Sequence, residues 1–284
     1  MRFGAHVSIA GGIDRAPIRA YEIGCDCFQI FTRSPRGGEP PKLDKKTVDS
    51  FLKECSKYGL LEYYVHTPYY INLASENQHI RKNSINIIKD EMRRASILAA
   101  KYVMTHIGSS KNLNKAEANR LVIEGLGRIL DKSDHETNLL IENSAGQGGT
   151  IGNSFEELAG ILAKVGVAEL GICLDTAHLL ASGYDIRTKN ELDSVLKRFS
   201  NLIGLDRLRL LHGNDSKVGL GERKDRHEHI GLGHIGLKGF RSIVNHPELI
   251  HLNLIVETPL EDIDDDIRNL KNLKNLERLK RSSS

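Results

Sequence analysis

Tryptophan is absent from the 284-residue sequence, and Phe, Trp and Tyr together make only 5% of it. Little is therefore available to wall a sugar-binding pocket with broad aromatic faces. Cysteine is scarce: Cys25, Cys27, Cys55 and Cys173 form no C-x-x-C pair. That removes thiol-redox and zinc-ribbon motifs and leaves buried packing thiols as the expectation. No apolar run reaches the roughly 18–20 residues of a membrane span. The opening Met1-Arg2-Phe3-Gly4-Ala5-His6 carries no signal-peptide block, so an intracellular protein that meets no membrane is expected. Neither charge sign dominates, since 40 basic and 37 acidic residues leave +3. This balance permits a nucleic-acid partner without arguing for one, because dedicated binding domains are far more basic. Also missing is a G-x-G-x-x-G turn after the first strand-like run, which disfavours an open doubly wound sheet.

What is present is a regular alternation. Eight β-rich runs recur along the chain: Arg2–Val7, Cys27–Phe31, Leu61–Val65, Tyr102–Thr105, Asn138–Ile141, Gly171–Leu174, Arg207–Leu211 and Leu252–Val256. Helical spacing separates them. Ile13, Ala16, Ala20 and Ile23 make one stripe before Gly24, and Val48, Phe51, Leu52 and Cys55 make another before Gly59. Ile85, Ile88, Met92, Ala95 and Ala99 make a third. With no linker between them, these units predict an α/β fold, a single (β/α)8 TIM barrel over residues 1–284. Leucines at every third position from Leu270 read as a closing helix to Arg281, with the last few residues frayed.

The residues at the strand ends carry the chemistry. Around the predicted barrel they are His6, Thr32, His66, His106, Glu142, Asp175, His212 and Glu257. In this fold the C-terminal strand ends converge on one mouth, where catalytic groups sit. One such histidine is usually a packed residue, but six successive strands ending in His, Asp or Glu gather ionisable groups that only cations can pair. Two nearby spacings add to the set. Asp175 and His178 face together if a helical turn follows the strand, and Asp225 and His227 leave an extended segment on one side. The candidates are then His66, His106, Glu142, Asp175, His178, His212, Asp225, His227 and Glu257. Catalytic zinc takes about three protein ligands and keeps a place for water. Nine ligands, some able to bridge, suit two or three ions. Five imidazoles among four carboxylates fit zinc, with manganese or iron as alternatives at some positions. Three divalent ions, four carboxylates and a hydroxide leave about +1, a site for an anion such as a phosphodiester.

At these residues the chain resembles the endonuclease IV family of apurinic/apyrimidinic endonucleases. The matching blocks are Gly4-Ala-His-Val-Ser8 with Gly11-Gly12, Leu140-Ile-Glu-Asn-Ser-Ala-Gly-Gln-Gly148 and Gly171-Ile-Cys-Leu-Asp-Thr-Ala-His178 with Ser182-Gly-Tyr-Asp185. His212-Gly-Asn-Asp-Ser-Lys217, Asp225-Arg-His227 and Ile230-Gly-Leu-Gly233 complete them, so the resemblance covers essentially the whole chain. It implies three zinc ions. His66, His106 and Glu142 would hold one; Glu142, Asp175, His212 and Glu257 a second; His178, Asp225 and His227 the third. It also implies hydrolysis 5′ to an abasic site in double-stranded DNA by a metal-bound hydroxide, leaving a 3′-hydroxyl, with cleaning of blocked 3′ ends beside it. Glu142, Asp175 and Glu257 are the implied catalytic carboxylates. Arg36, Tyr69 and Tyr70 match DNA-reading positions, although Gly37-Gly38 follows Arg36 and Tyr70 stands where an aliphatic wedge is expected. His6, Ser109, Lys217 and the glycine-rich loop Ala145–Gly152 are weaker candidates for lining the pocket or meeting a phosphate. A monomer is expected. The alternative is a sugar isomerase or epimerase on the same barrel, using Glu142, Asp175, His212 and Glu257 around one ion and leaving the other five candidates without a purpose.

Overall fold

Period-two alternation of side chains turns the β-rich runs into a closed barrel. A computed structural model describes residues 1–131, 136–259 and 262–281. In chain order its strands are β1 (Arg2–His6), β2 (Cys27–Ile30), β3 (Tyr63–His66), β4 (Tyr102–Thr105), β5 (Asn138–Glu142), β6 (Gly171–Asp175), β7 (Leu208–His212), β8 (Asp215–Ser216), β9 (His227–Glu228) and β10 (Asn253–Val256). Eight of them pair in parallel as β1-β10-β7-β6-β5-β4-β3-β2, closing on β1, while β8 and β9 form a small antiparallel ribbon. The helices are α1 (Arg15–Glu22), α2 (Lys45–Lys57), α3 (Gln78–Ile97), α4 (Lys115–Leu130), α5 (Phe155–Val165), α6 (Thr176–Ser182), α7 (Lys189–Leu202), α8 (Gly236–Val244) and α9 (Ile263–Arg281). This is the predicted (β/α)8 architecture. Among the described residues no helix is long and apolar enough to cross a membrane.

The predicted strands shift by at most two residues, for local reasons. Leu61 is exposed, so β3 starts at Tyr63 and takes His66 as its own last residue. Arg207 belongs to a 3-10 turn, where its guanidinium donates to the carbonyls of Val167, Ala168 and Leu170. Ala99, the predicted end of the third stripe, lies beyond α3 with φ of 59°. The closing helix starts at Ile263, ahead of Leu270, and buries Leu270, Leu273 and Leu276. The predicted frayed residues 282–284 lie outside the described residues.

Two apolar layers result. Outward-facing residues such as Phe3, Phe28, Val65, Val103, Leu139 and Leu254 pack beneath the helices. Inside the barrel, Cys27, Tyr64, Tyr102, Met104, Leu140, Cys173, Leu210 and Ile255 form a separate plug. One step further along the inward faces come Gln29, His66, His106, Glu142, Asp175, His212 and Glu257. The plug is therefore a dry floor for a polar layer. All four cysteines are buried free thiols.

Asp215, on β8, fixes the loop beyond the ribbon. Its buried carboxylate accepts backbone N–H groups from Ser216 at 2.8 Å, Gly231 and Ile235 at 2.9 Å, Gly233 at 3.1 Å and Gly236 at 3.2 Å. A Cβ on Gly233 would come within 2.5 Å of Asp215 Oδ1 and of the Ser216 carbonyl, so the clamp admits glycine there.

Candidate metal centre at the barrel mouth

Seven strand-end and loop segments bring their donors to one place. Donor atoms of His66, His106 and Glu142 lie within 4.8 Å of one another, as do those of Glu142, Asp175, His212 and Glu257, and those of Asp175, His178 and His227. His66, His212 and Glu257 make a further overlapping group. Glu142 is central, with Oε2 3.1 Å from His66 Nε2 and 3.5 Å from His106 Nε2, and Oε1 3.0 Å from His212 Nδ1. Glu257 Oε2 stands 3.1 Å from the same His212 nitrogen. Asp225 Oδ1 lies 3.2 Å from His178 Nε2 and 3.3 Å from His227 Nε2. Ions with ligand bonds of about 2.0–2.2 Å span donor pairs of this separation. Mixed imidazole and carboxylate donors in overlapping groups fit several borderline cations better than one hard cation.

The histidines are held in defined orientations. His66 Nδ1 donates to the Thr67 carbonyl at 2.6 Å, His178 Nδ1 to that of Asn143 at 2.9 Å, and His227 Nδ1 to that of Glu257 at 3.0 Å. A carbonyl only accepts, so each Nε2 is left to face the cavity with its lone pair. Carboxylates are oriented too. Asp175 caps α6 by accepting from the His178 N–H at 2.7 Å, which puts the two side chains together. Asn214 donates to Asp175 Oδ2 at 2.6 Å and accepts from the Glu257 N–H at 2.7 Å, tying β6 to the end of β10.

The carboxylates and rings of the cluster shift one another strongly. Burial would raise the Glu142 carboxyl, but the surrounding His106, His212 and His66 hold it well below the usual carboxylate range. Glu257 is depressed in the same way, against burial, chiefly by His212. The carboxylates in turn pull protons onto the rings. His178 rises to about 10 because Asp175 and Asp225 outweigh its burial, and His227 rises to about 9 through Asp175 and Asp225. Divalent cations satisfy the same carboxylates while displacing those ring protons. A cavity of about 580 Å³ opens over the cluster, with His66, His106, His178, Asp225, His227 and Glu257 in its wall.

Comparison with known proteins names the relatives of this arrangement. The family model for a xylose isomerase-like TIM barrel matches residues 18–276. A probable endonuclease 4 from Methanoculleus marisnigri is 41% identical over 268 residues, covering 94% of this chain and 95% of that one. The chain belongs to the endonuclease IV family. The solved endonuclease IV of Thermus thermophilus is 34% identical and superposes with a TM-score of 0.88, covering 98% of this chain and 100% of that one. A D-tagatose 3-epimerase-like protein, 21% identical with a TM-score of 0.76, covers 100% of this chain and 99% of that one, and shares the fold alone. The family read from the motif blocks is the family these likenesses show.

Within this endonuclease IV barrel the remaining predicted positions divide. Tyr69 and Tyr70 line the cavity and are exposed, and Tyr69 sets its ring edge-on to Phe31 at 5.2 Å. Ser109 and part of the glycine-rich loop, Ala145, Gln147, Thr150 and Ile151, line it as well. Arg36 is exposed in the loop after β2 and is not in the cavity wall. Lys217 is on the ribbon side, 3.9 Å from Glu228. Thr32 does not end β2 at the mouth. It is buried behind the barrel, where its hydroxyl donates to Glu91 at 2.6 Å and accepts from Arg94 at 2.6 Å. The β2 residue at the mouth is Gln29, fully buried. Gln29, Asn143 and Asn214 contact candidate ligands, and spacing alone passed over them. A polar side chain at an inward position of an otherwise apolar strand was the available signal for Gln29.

Proposed function

We propose that this chain is a metal-dependent apurinic/apyrimidinic endonuclease of DNA repair, hydrolysing the phosphodiester 5′ to an abasic site in double-stranded DNA and leaving a 3′-hydroxyl. The observation that carries the reading is the convergence of nine potential ligands, drawn from β3 to β10, on one barrel mouth above an apolar floor. Three sets of residues would hold three zinc ions: His66, His106 and Glu142; Glu142, Asp175, His212 and Glu257; and His178, Asp225 and His227. When bound, such ions polarise a phosphoryl oxygen, lower the pKa of a bound water and stabilise the attacking and leaving oxygens of an in-line displacement. The chain's residues do the rest. Glu142, Asp175 and Glu257, oriented by neighbouring rings, by Asn214 and by Gln29 respectively, would hold the ions and balance part of their charge. Backbone carbonyls hold the imidazoles of His66, His178 and His227 in place before the reaction, so these donors are preorganised. Tyr69 and Tyr70 offer planar surface at the rim to a duplex that has lost a base. Blocked 3′ ends present the same phosphodiester chemistry and are proposed as a second substrate.

A single-ion sugar epimerase would need only Glu142, Asp175, His212 and Glu257. It would give no task to His66, His106, His178, Asp225 and His227, which stand at the same mouth. Incision of a duplex oligonucleotide carrying one tetrahydrofuran abasic analogue tests the reading, alongside an undamaged duplex. The expected result is a cut on the 5′ side of the analogue that prolonged chelation abolishes. Protein shown to hold three metal ions but leaving the analogue uncut overturns it.

A further inference from the structure

Among the described residues, Gln29 is the amide that the polar layer encloses on the β1–β2 side, and it is fully buried. Its Nε2 donates to Glu257 Oε1 at 2.5 Å and lies 2.9 Å from His6 Nδ1, while its Oε1 lies 2.9 Å from His212 Nε2. The direction of the amide follows from its partners. An ionised carboxylate only accepts, so the NH2 group faces Glu257 and the carbonyl oxygen is left for His212. His212 must then carry its proton on Nε2 and present the lone pair of Nδ1. That is the nitrogen 3.0 Å from Glu142 and 3.1 Å from Glu257. His66, His178 and His227 are oriented the opposite way, each through a backbone carbonyl at Nδ1. His212 alone among these four takes its orientation from a side chain.

We infer that Gln29 is a positioning residue for the ion held by Glu142, Asp175, His212 and Glu257, selecting Nδ1 of His212 as the ligand atom and fixing the rotation of the Glu257 carboxylate. The inference rests on the proposed metal centre. It sets up an asymmetry between the ion positions, because one amide serves two ligands of this group and none of the groups His66–His106–Glu142 or His178–Asp225–His227. His6 receives the second N–H of the same amide, so its own Nε2 carries a proton, and that nitrogen is buried without a partner among the described residues. His6 accordingly acts as packing for Gln29 and not as a ligand.

The test is Gln29→Met, which keeps the volume and removes the hydrogen bonds to Glu257, His212 and His6, studied as purified holoenzyme. Metal per chain is followed by mass spectrometry during titration with a competing chelator, and the visible spectrum of the cobalt(II)-substituted protein reports the ligand field. The expected result is one ion of three released at about 10- to 100-fold lower chelator concentration, the other two retained, and a changed cobalt spectrum. Incision should fall in kcat with KM for abasic duplex unchanged. If Gln29→Met does not fold, Gln29→Glu preserves the acceptor for His212 but sets a charge against Glu257, and it should loosen the same ion. Wild-type metal retention and an unchanged cobalt spectrum in the folded variant overturn the inference. Wild-type protein that binds three ions yet cuts no abasic duplex removes the proposed substrate and leaves the role of Gln29 standing, since metal retention is read without DNA. Wild-type protein that binds no ion overturns both.

Discussion

Replacing Glu142 distinguishes a shared multi-ion centre from a set of independent sites. The carboxylate is common to two donor groups, because Oε2 faces His66 and His106 while Oε1 faces His212. In Glu142→Gln the side chain keeps its shape and can still hydrogen-bond with buried imidazoles, so the barrel should stay folded. It loses its charge and the second equivalent oxygen. Two ion positions are weakened together, whereas Asp225→Asn weakens only the one next to His178 and His227. An ion contributes several kcal/mol of transition-state stabilisation. At about 1.4 kcal/mol per factor of ten, loss of two should slow incision by at least about 10,000-fold. Asp225→Asn should fall short of that by a factor of about 100, the difference of one ion contributing several kcal/mol. The assay pairs metal content after gel filtration with single-turnover cleavage of an abasic duplex, and circular dichroism checks the fold. Folded Glu142→Gln that retains three ions and cleaves within tenfold of the parent refutes the sharing.

Two further predictions concern other parts of the molecule. Tyr69→Ala should raise KM for abasic duplex by about 10- to 100-fold, the range of one base–aromatic stack, while metal content and kcat hold; an unchanged KM removes Tyr69 from the DNA interface. Asp266, in α9, is pushed up to about 6 by burial and secondarily by Asp265. The folded state thus binds this proton more tightly than the unfolded chain, whose value is near 4. Its stabilising effect is complete below about pH 4 and is lost as pH rises through 6. Asp266→Asn should therefore raise the melting temperature at pH 7.5, with a ceiling of about 3 kcal/mol, because a tenfold change in proton affinity corresponds to about 1.4 kcal/mol. At pH 4 it should change little. Identical melting of the two proteins at pH 7.5 contradicts this account.

The barrel was legible because parallel strands buried on both faces and amphipathic helices leave different periods in the chain. Val65 and Val103 went under helices, and Leu140 and Leu210 into the plug, as alternation requires. The gathering of His66, His106, Glu142, Asp175, His212 and Glu257 was legible for the same reason, since strand ends share a mouth whatever their separation in sequence. What alternation does not encode is which way a side chain turns once the strand has ended. Thr32 follows β2, yet the buried charges Arg33, Glu91 and Arg94 draw it toward α3. Gln29 lies inside the strand and looked like part of an apolar run, although it touches two ligands of the candidate centre. Asn143 and Asn214 act through hydrogen bonds whose partners lie more than one element away, and no local spacing announces such contacts. The β8–β9 ribbon was likewise unannounced, being too short to show any period.

A ribbon with two residues per strand has no stability of its own. The His227 ring is held by the Glu257 carbonyl, and the loop that follows it by the Asp215 clamp, where one carboxylate gathers the loop's N–H groups. The loop's conformational entropy, about 1–2 kcal/mol per residue, is surrendered when the chain folds. A partner that touches the exposed Leu232 at its tip meets a surface already frozen, so little ordering remains to slow or weaken association there. In this barrel the irregular segment is stiff because its donors are satisfied from within, and stiffness at that point is inherited by the imidazole that leads into it.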